Sequence, residues 1–202
     1  MILAVTGPMA AGKNLASAIL EEKGFLCVDA DILVHKVIED SKSEIVAAFG
    51  DMAKERGLEL VRQDGSIKRR VIGQLIFGSP ELVAKQESIV YPGVNREIDK
   101  FLAENPGRDK VINATVLYKV PSINKVEHII YVDAPLPLRF LRARRRDGLT
   151  YKQILSRFKS QAHLFSKYKN SNADIMRVWN TGSREQLEVK LSRILAECRT
   201  RG

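Results

Sequence analysis

The amino-acid sequence predicts an α/β protein built on a parallel β-sheet. Short apolar runs alternate with amphipathic segments of helical periodicity, which is the pattern of α/β folds. The strand segments are almost continuously apolar rather than alternating, and this favours a parallel sheet covered by helices on both faces. About five strands are predicted, at residues 2–6, 25–29, 110–116, 128–133 and 175–179.

Helical periodicity predicts nine helices between and after these strands. They cover residues 13–23, 32–39, 43–49, 69–77, 80–89, 94–104, 138–146, 151–167 and 184–197. The stretch 57–104 contains several helices and no convincing strand, so we interpret it as a helical insertion. Because no repeat, linker or low-complexity tract occurs, we expect residues 1–202 to form one domain.

Composition indicates a folded protein of the reduced cytoplasm. The chain is 45% apolar and 28% charged, and its two cysteines, Cys27 and Cys198, lie far apart without a CxxC or Cys/His cluster. The apolar run at residues 2–6 is too short for a membrane span and lacks the basic flank of a signal peptide. We therefore expect a cytoplasmic location without membrane contact.

The positive charge is concentrated in one segment. Ten Lys and Arg residues and one acidic residue lie between Arg139 and Lys169, so this segment accounts for the whole net charge of +9. A basic segment of this kind suits a polyanionic ligand, either nucleotide phosphates or nucleic acid. Composition alone leaves both open.

Residues 7–14, Gly-Pro-Met-Ala-Ala-Gly-Lys-Asn, follow a predicted strand and precede a predicted helix. They match G-x-x-x-x-G-K, the phosphate-binding loop, and predict the three-layer fold of P-loop proteins. Backbone N–H groups, the helix N-terminus and a lysine would together bind the phosphates. The alternative is an ordinary strand–helix turn with a solvated lysine. The residues expected at the nucleotide are Gly7, Ala10, Ala11, Gly12, Lys13, Asn14 and Leu15.

Asn14 stands where this motif usually has a Ser or Thr that binds Mg²⁺. An amide oxygen is also a possible ligand, but on a longer side chain. Weaker or water-mediated metal binding is therefore expected.

Asp29 and Asp31 follow the second predicted strand, at the sheet edge where α/β enzymes bind ligands. A carboxylate opposite a phosphate loop can accept the proton of an attacking hydroxyl and help to hold Mg²⁺. The alternative is that one of them only caps the next helix.

Further motifs follow in a specific order: residues 64–70 (Asp-Gly-Ser-Ile-Lys-Arg-Arg), Tyr91-Pro92, Arg142, residues 146–148, Gln161, Ala173-Asp174 and Asn180-x-Gly182. With the loop and the two aspartates, this order resembles the dephospho-coenzyme A kinase family over almost the whole chain. The resemblance implies ATP-dependent phosphorylation of the ribose 3′-hydroxyl of dephospho-coenzyme A, with ATP and Mg²⁺ as cofactors.

The resemblance also implies residue roles. Asp31 would be the general base, the segment 57–104 would cover the acceptor, and the basic segment 138–169 would be a lid over the phosphates. The other catalytic residues would be Lys13, Arg142 and Arg146, Asn180 would lie by the adenine, and Asn14 and Asp29 would be the metal ligands. The implied acceptor-binding residues are Asp29, Asp31, His35, Arg69, Phe77, the Tyr91-Pro92 turn, Leu117 and Gln161. We expect Arg139, Arg144 and Arg145 on a solvated helix face.

The chain departs from the family pattern at Asn14, and again at Asn113 and Lys119, where the family usually has acids. Thr115 replaces a Pro, and Tyr91 replaces the His of a His-Pro pair. The hypothesis is thus an active but divergent kinase, monomeric or weakly homo-oligomeric. Its alternatives are a nucleoside monophosphate kinase, a catalytically weakened nucleotide-binding paralogue, and a nucleic-acid-binding module that would use the basic, aromatic-rich segment 139–169.

Overall fold

A computed structural model describes residues 1–169 and 171–201, apart from the side chains of Asp147 and Arg201. Its strands are β1 (Ile2–Thr6), β2 (Leu26–Asp29), β3 (Lys110–Asn113), β4 (His128–Asp133) and β5 (Asp174–Trp179). Within the described residues, these five strands form one fully parallel sheet in the order β2-β3-β1-β4-β5. The parallel sheet predicted from the sequence is therefore confirmed.

Nine α-helices lie in the same described part of the chain. They are α1 (Lys13–Glu22), α2 (Ala30–Asp40), α3 (Lys42–Glu55), α4 (Arg69–Ile76), α5 (Pro80–Ala103), α6 (Leu136–Asp147), α7 (Tyr151–Ser160), α8 (Leu164–Tyr168) and α9 (Arg184–Arg201). The third strand ends three residues earlier than expected, because the chain beyond Asn113 leads into a short 3₁₀ turn at Leu117–Lys119.

Several helices predicted from the sequence have wrong boundaries. The helix expected over 43–49 continues to Glu55, and a second error concerns Pro92. The helices expected over 80–89 and 94–104 are one continuous helix, α5, so Tyr91-Pro92 is not a turn. Pro92 is exposed, and water can therefore solvate the carbonyl that loses its N–H partner. At the next position, a Cβ would lie 2.5 Å from Val37 Cγ1, so Gly93 allows α2 to pack closely against α5.

The helix expected over 151–167 is two helices, α7 and α8. A capping box between Thr150 and Gln153 starts α7, and the chain leaves helical geometry at Gln161. The break redirects the chain so that Leu164 and Tyr168 of α8 are buried. Burial of these apolar surfaces outweighs the helical periodicity that runs through the break.

The chain divides into two compact units: residues 1–30 with 101–202, and residues 31–100. The first contains the sheet, and the second consists of helices around the buried residues Ile45, Phe49, Leu75 and Ile98. The second unit begins well before residue 57, where the sequence suggested an insertion. Across residues 1–169 and 171–201, none of the helices combines the length and apolar character required to cross a membrane.

The sheet of the first unit is covered on both faces, as in a three-layer fold. Val132 and Val178 point to one face and pack with core residues of α1 and α9. Their strand neighbours Tyr131 and Arg177 point to the other face, where each contacts the ring of Phe165 from α8. This alternation follows from strand geometry and places α6, α7 and α8 opposite α1 and α9.

Tyr168 links the buried ends of three segments of the first unit. Its hydroxyl accepts hydrogen bonds from Thr6 Oγ1 and the Leu117 N–H, both at 3.0 Å, and donates one to the Thr115 carbonyl at 2.9 Å. The side chain is fully buried, and this burial raises the pKa of its phenol, so the hydroxyl keeps the proton it donates.

We expect Tyr168→Phe to lower the free energy of unfolding by about 1–3 kcal/mol, because the buried Leu117 N–H loses its partner and the Thr115 carbonyl keeps only the longer bond from Thr6 Oγ1. Urea denaturation followed by circular dichroism would measure the loss. Tyr151→Phe is the matched control, since Tyr151 is exposed at the start of α7. An equal, small effect of both changes would show that the buried hydroxyl does not stabilise the fold.

Candidate active site

The loop between β1 and α1 is shaped by residues that lack large side chains. A Cβ on Gly7 would lie 2.1 Å from the Val132 carbonyl oxygen, and one on Gly12 would lie 2.1 Å from Asn180 Nδ2. Gly12 has a φ of +109°, and Ala10 has a φ of +61°, which is uncommon for a residue with a Cβ. The loop thus adopts a tight backbone path that ends at the N-terminus of α1, where backbone N–H groups can bind phosphate.

The Ala11 carbonyl is fixed from the opposite side of the loop. Asn180, which follows β5, donates a hydrogen bond to it from Nδ2 at 2.8 Å, and Arg142 of α6 donates another at 3.5 Å. Asn180 is buried, and its own N–H is bound to the Asp133 carbonyl at 2.7 Å. These two hydrogen bonds fix the backbone of the loop just before the start of α1.

Met9 is held through both of its backbone polar groups. Gln161, just after α7, accepts a hydrogen bond from the Met9 N–H at 2.7 Å, and Arg139 Nε donates one to the Met9 carbonyl at 2.9 Å. Arg139 is only 7% exposed and its guanidinium lies 4.4 Å from the centre of the Phe158 ring. The expectation of a solvated Arg139 is therefore wrong, because its helix face is turned inward to the loop.

Four polar side chains meet at the start of α1. Lys13 Nζ donates to Asn14 Oδ1 at 3.1 Å and to Asn113 Oδ1 at 3.3 Å. Asn113 Nδ2 in turn donates to Asn14 Oδ1 at 3.2 Å and to Asp29 Oδ2 at 3.1 Å. The structure thus brings Lys13, Asn14 and Asp29 together as the sequence predicted, with Asn113 as the bridge between them.

These residues include hard oxygen donors of the kind that Mg²⁺ prefers. Asn14 Oδ1 and Asp29 Oδ2 both face the same Asn113 amide nitrogen. Within the described residues there is no group of three or more His, Cys, Asp or Glu side chains that could hold a metal ion. An ion here would therefore be bound by Asn14 and Asp29 together with nucleotide phosphates, an arrangement common for Mg²⁺.

The arginines of α6 lie at different depths. Arg142 is half-buried beside Ala11, and this burial lowers the pKa of its guanidinium. Arg144, Arg145 and Arg146 are exposed near the end of the helix, so the expectation for Arg144 and Arg145 holds. A partly desolvated cation attracts an anion more strongly than a solvated one, which makes Arg142 a suitable phosphate contact.

The residues implied for acceptor binding fall mainly in the unit 31–100. Asp31 and His35 lie one turn apart on α2, and Arg69 is exposed at the start of α4. Phe77, just after α4, is 79% exposed. Tyr91 and Pro92 lie within α5, where the Tyr91 hydroxyl donates to Glu87 Oε1 at 3.4 Å.

Two implied acceptor residues lie in the sheet-containing unit. Leu117 is buried and its N–H is bound to Tyr168, so its side chain contributes to packing. Gln161 contacts the phosphate loop itself through the Met9 N–H. Leu15 is partly buried and packs against the core that α1 shares with α9.

The sequence did not predict that Arg139 and Asn113 contact the phosphate loop. Arg139 stands one turn before Arg142 on α6, a spacing that puts both on one helix face. That spacing indicates only that the two arginines share a face, and nothing local shows that this face is turned toward the loop. Asn113 ends β3, next to β1 in the sheet, and so lies beside the loop.

A family model described as Dephospho-CoA kinase matches residues 1–185 of the chain. The chain belongs to the dephospho-CoA kinase family. It is 37% identical to the Dephospho-CoA kinase of Treponema denticola, over 100% of this chain and 91% of that protein. It is 32% identical to that of Treponema pallidum, over 96% and 93%. The resemblance inferred from the motifs is thereby confirmed, and with it the prediction of a kinase.

Solved structures of the same fold also match the chain. TT1252 from Thermus thermophilus matches with a TM-score of 0.79 at 27% identity, over 98% of this chain and 97% of that one. Dephospho-CoA kinase from Campylobacter jejuni matches with a TM-score of 0.61 at 21% identity, over 98% and 96%. Shikimate kinase from Aquifex aeolicus matches with a TM-score of 0.51 at 14% identity, over 100% of both chains. The latter two show the fold alone, which is that of P-loop kinases.

We expect Asn180→Ala to weaken ATP binding by about five- to tenfold, because the Ala11 carbonyl loses its shorter hydrogen bond and the loop becomes less ordered. Titration calorimetry with a non-hydrolysable ATP analogue would measure the change. Asn172→Ala, at an exposed position before β5, is the matched control. Unchanged affinity in Asn180→Ala would exclude this role for the asparagine.

Proposed function

We propose that the protein transfers the terminal phosphoryl group of ATP to the ribose 3′-hydroxyl of dephospho-CoA, which gives CoA and ADP in the last step of CoA biosynthesis. The observation that carries the proposal is the loop of residues 7–14, fixed through the Met9 and Ala11 backbone, in a chain of the dephospho-CoA kinase family. A loop held in this way is prepared to bind phosphate before ATP arrives.

Phosphoryl transfer needs little covalent help from a protein, so positioning and charge stabilisation supply most of the catalysis. Lys13 supplies a positive charge at the β- and γ-phosphates. Arg142 and Arg146 supply further positive charge from the lid, and the guanidinium geometry suits phosphate oxygens. Asn180 contributes beside the adenine and through the Ala11 carbonyl.

The acceptor hydroxyl requires a base, and we assign this role to Asp31, in the first turn of α2. A carboxylate can accept the proton that the ribose hydroxyl loses on attack. Arg69 and Phe77 support an acceptor surface, because one is an exposed cation and the other an exposed ring. We propose that His35, Tyr91 and Pro92 also contact the acceptor. Leu117 would act instead through packing, and Gln161 through its hydrogen bond with the phosphate loop.

Mg²⁺ would be held by the nucleotide with Asn14 and Asp29, and its bound charge would neutralise the β- and γ-phosphate oxygens. Of these two residues, Asp29 supplies the one carboxylate, and its Oδ2 already accepts a hydrogen bond from Asn113. The amide of Asn14 is neutral and accepts two hydrogen bonds. We infer that the protein contributes less to metal affinity than a loop with a hydroxyl at this position would.

We propose a monomer or weak homo-oligomer that acts in the cytoplasm. Cys27 and Cys198 are present as thiols, which is compatible with a reducing compartment.

We expect Lys13→Met to reduce kcat by about 100- to 1,000-fold, because one cationic group that stabilises the transferring phosphoryl is lost. A coupled ADP-release assay with dephospho-CoA would measure the rate. Lys23→Met is the matched control, since Lys23 lies just after α1 and pairs with Glu188 at the surface. Equal rates for the two variants would remove Lys13 from the mechanism.

The ADP-release assay and a nucleic-acid binding measurement together separate the competing functions. CMP, UMP or AMP as a better acceptor than dephospho-CoA would favour a nucleoside monophosphate kinase. ATP binding without acceptor-dependent turnover, even at high Mg²⁺, would identify a weakened paralogue and overturn the proposal. Steeply salt-dependent binding to single strands that ATP does not affect would instead indicate a nucleic-acid-binding module.

We expect Asn14→Ser to lower the Mg²⁺ concentration needed for half-maximal turnover by severalfold, because a hydroxyl is the usual ligand at this position. The measurement is a Mg²⁺ titration of the rate at constant ATP. Asn113→Ser is the comparison, since it removes the bridging amide without adding a ligand at the loop position. A Mg²⁺ requirement that rises in Asn14→Ser would show that the native amide is the better ligand.

A further inference from the structure

A cavity of about 580 Å³ lies in the sheet-containing unit, on the face covered by α6, α7 and α8. Its described lining includes Pro8 of the phosphate loop but neither Lys13 nor Asn180. The volume is within the range of small-molecule sites, roughly 300–1,000 Å³. Of its lining, the kinase function proposed above uses Arg139 and Gln161, which hold the phosphate loop through Met9, and it places no ligand in the cavity.

Most of the cavity wall is apolar. Three phenylalanine rings line it, together with leucine side chains from α6 and α7. The rings are Phe140, Phe158 and Phe165. Such walls suit the body of a small apolar or aromatic ligand, because aromatic rings pack edge-to-face and exclude water.

Arg139 lines this apolar cavity with a cation whose hydrogen bonds are incomplete. The residue is only 7% exposed and lines the cavity, and its Nη2 has no hydrogen-bond partner among the described residues. Its Nε is already used by the Met9 carbonyl. Buried polar groups in folded proteins nearly always have a partner, so a guanidinium in a cavity wall with an unpartnered nitrogen favours a ligand that supplies an acceptor.

The nearby carboxylate does not neutralise Arg139. Both oxygens of Asp133 are engaged: Oδ1 accepts from the Ala134 N–H at 2.8 Å, and Oδ2 accepts from Arg177 Nε at 3.1 Å and from its Nη2. Arg177 and Lys159 also line the cavity. Three cations against one carboxylate leave a net positive charge, which favours an anionic ligand.

We propose that this cavity is a second ligand site, separate from the nucleotide site, which takes a small carboxylate with an apolar aryl or alkyl body. The carboxylate pairs with the guanidinium of Arg139, and the body packs among Phe140, Phe158 and Phe165. A planar carboxylate matches the planar guanidinium. The proposal concerns binding alone, so it stands or falls independently of the kinase activity.

The test is calorimetric titration of the full chain with 4-phenylbutyrate, alone and with a saturating ATP analogue. We expect saturable one-to-one binding that persists with the ATP analogue present, and much weaker binding of 4-phenylbutan-1-ol, which has the body without the charge. Equal binding of the alcohol would overturn the proposal. Displacement of 4-phenylbutyrate by the ATP analogue would also overturn it, as would an absence of saturable binding.

Variants locate the site. Arg139→Met keeps a long side chain without the cation and should weaken binding at least about thirtyfold. Arg144→Met is the matched control, since Arg144 is an exposed arginine of the same helix, and should leave affinity unchanged. Ala162→Phe should fill the cavity and abolish binding while every charge remains, so it tests the site even if Arg139→Met does not fold. Undiminished binding in Ala162→Phe would refute the assignment.

Discussion

The loop after β1 passes so close to β4 and to the residue after β5 that two of its positions have no room for a side chain. The central position of β1 in the sheet causes this constraint, since β1 lies beside both β3 and β4. Val132 then fills the space beside Gly7, and Asn180 fills the space beside Gly12. The path of the loop, the direction of its N–H groups and the start of α1 all depend on these two close approaches.

Charge is distributed unevenly around the phosphate loop, between the start of α1 and the segment from Arg139 to Lys169. At the start of α1, neutral amides surround the lysine, and Asp29 is the carboxylate bound to Asn113. The net charge of +9 comes instead from the segment between Arg139 and Lys169. In the function proposed here, stabilisation of phosphate charge would therefore rest more on the arginines of α6 than on a metal bound tightly by the protein.

The sequence predicted what local pattern determines and missed what tertiary contacts determine. Residues 2–6 and 128–133 match β1 and β4 because buried parallel strands are apolar throughout. Pro92 suggested a turn, yet Gly93 packs against Val37 and the helix continues. Arg139 looked like one more surface arginine, since nothing local shows that its helix face is turned toward Met9. Helical periodicity likewise concealed the break before α8, which the burial of Tyr168 imposes.

The double hold on Met9 has a mechanical consequence. Arg139 precedes most of the lid and Gln161 directly follows α7, so the two anchors bracket residues 140–160. Both are fastened to the same residue of the loop. If residues 138–169 act as the proposed lid, these two contacts would restrain the movement of residues 140–160 at both ends. A shift of the Met9 backbone would then act on both contacts at once, so binding of a phosphate at the loop would affect both ends of this stretch together.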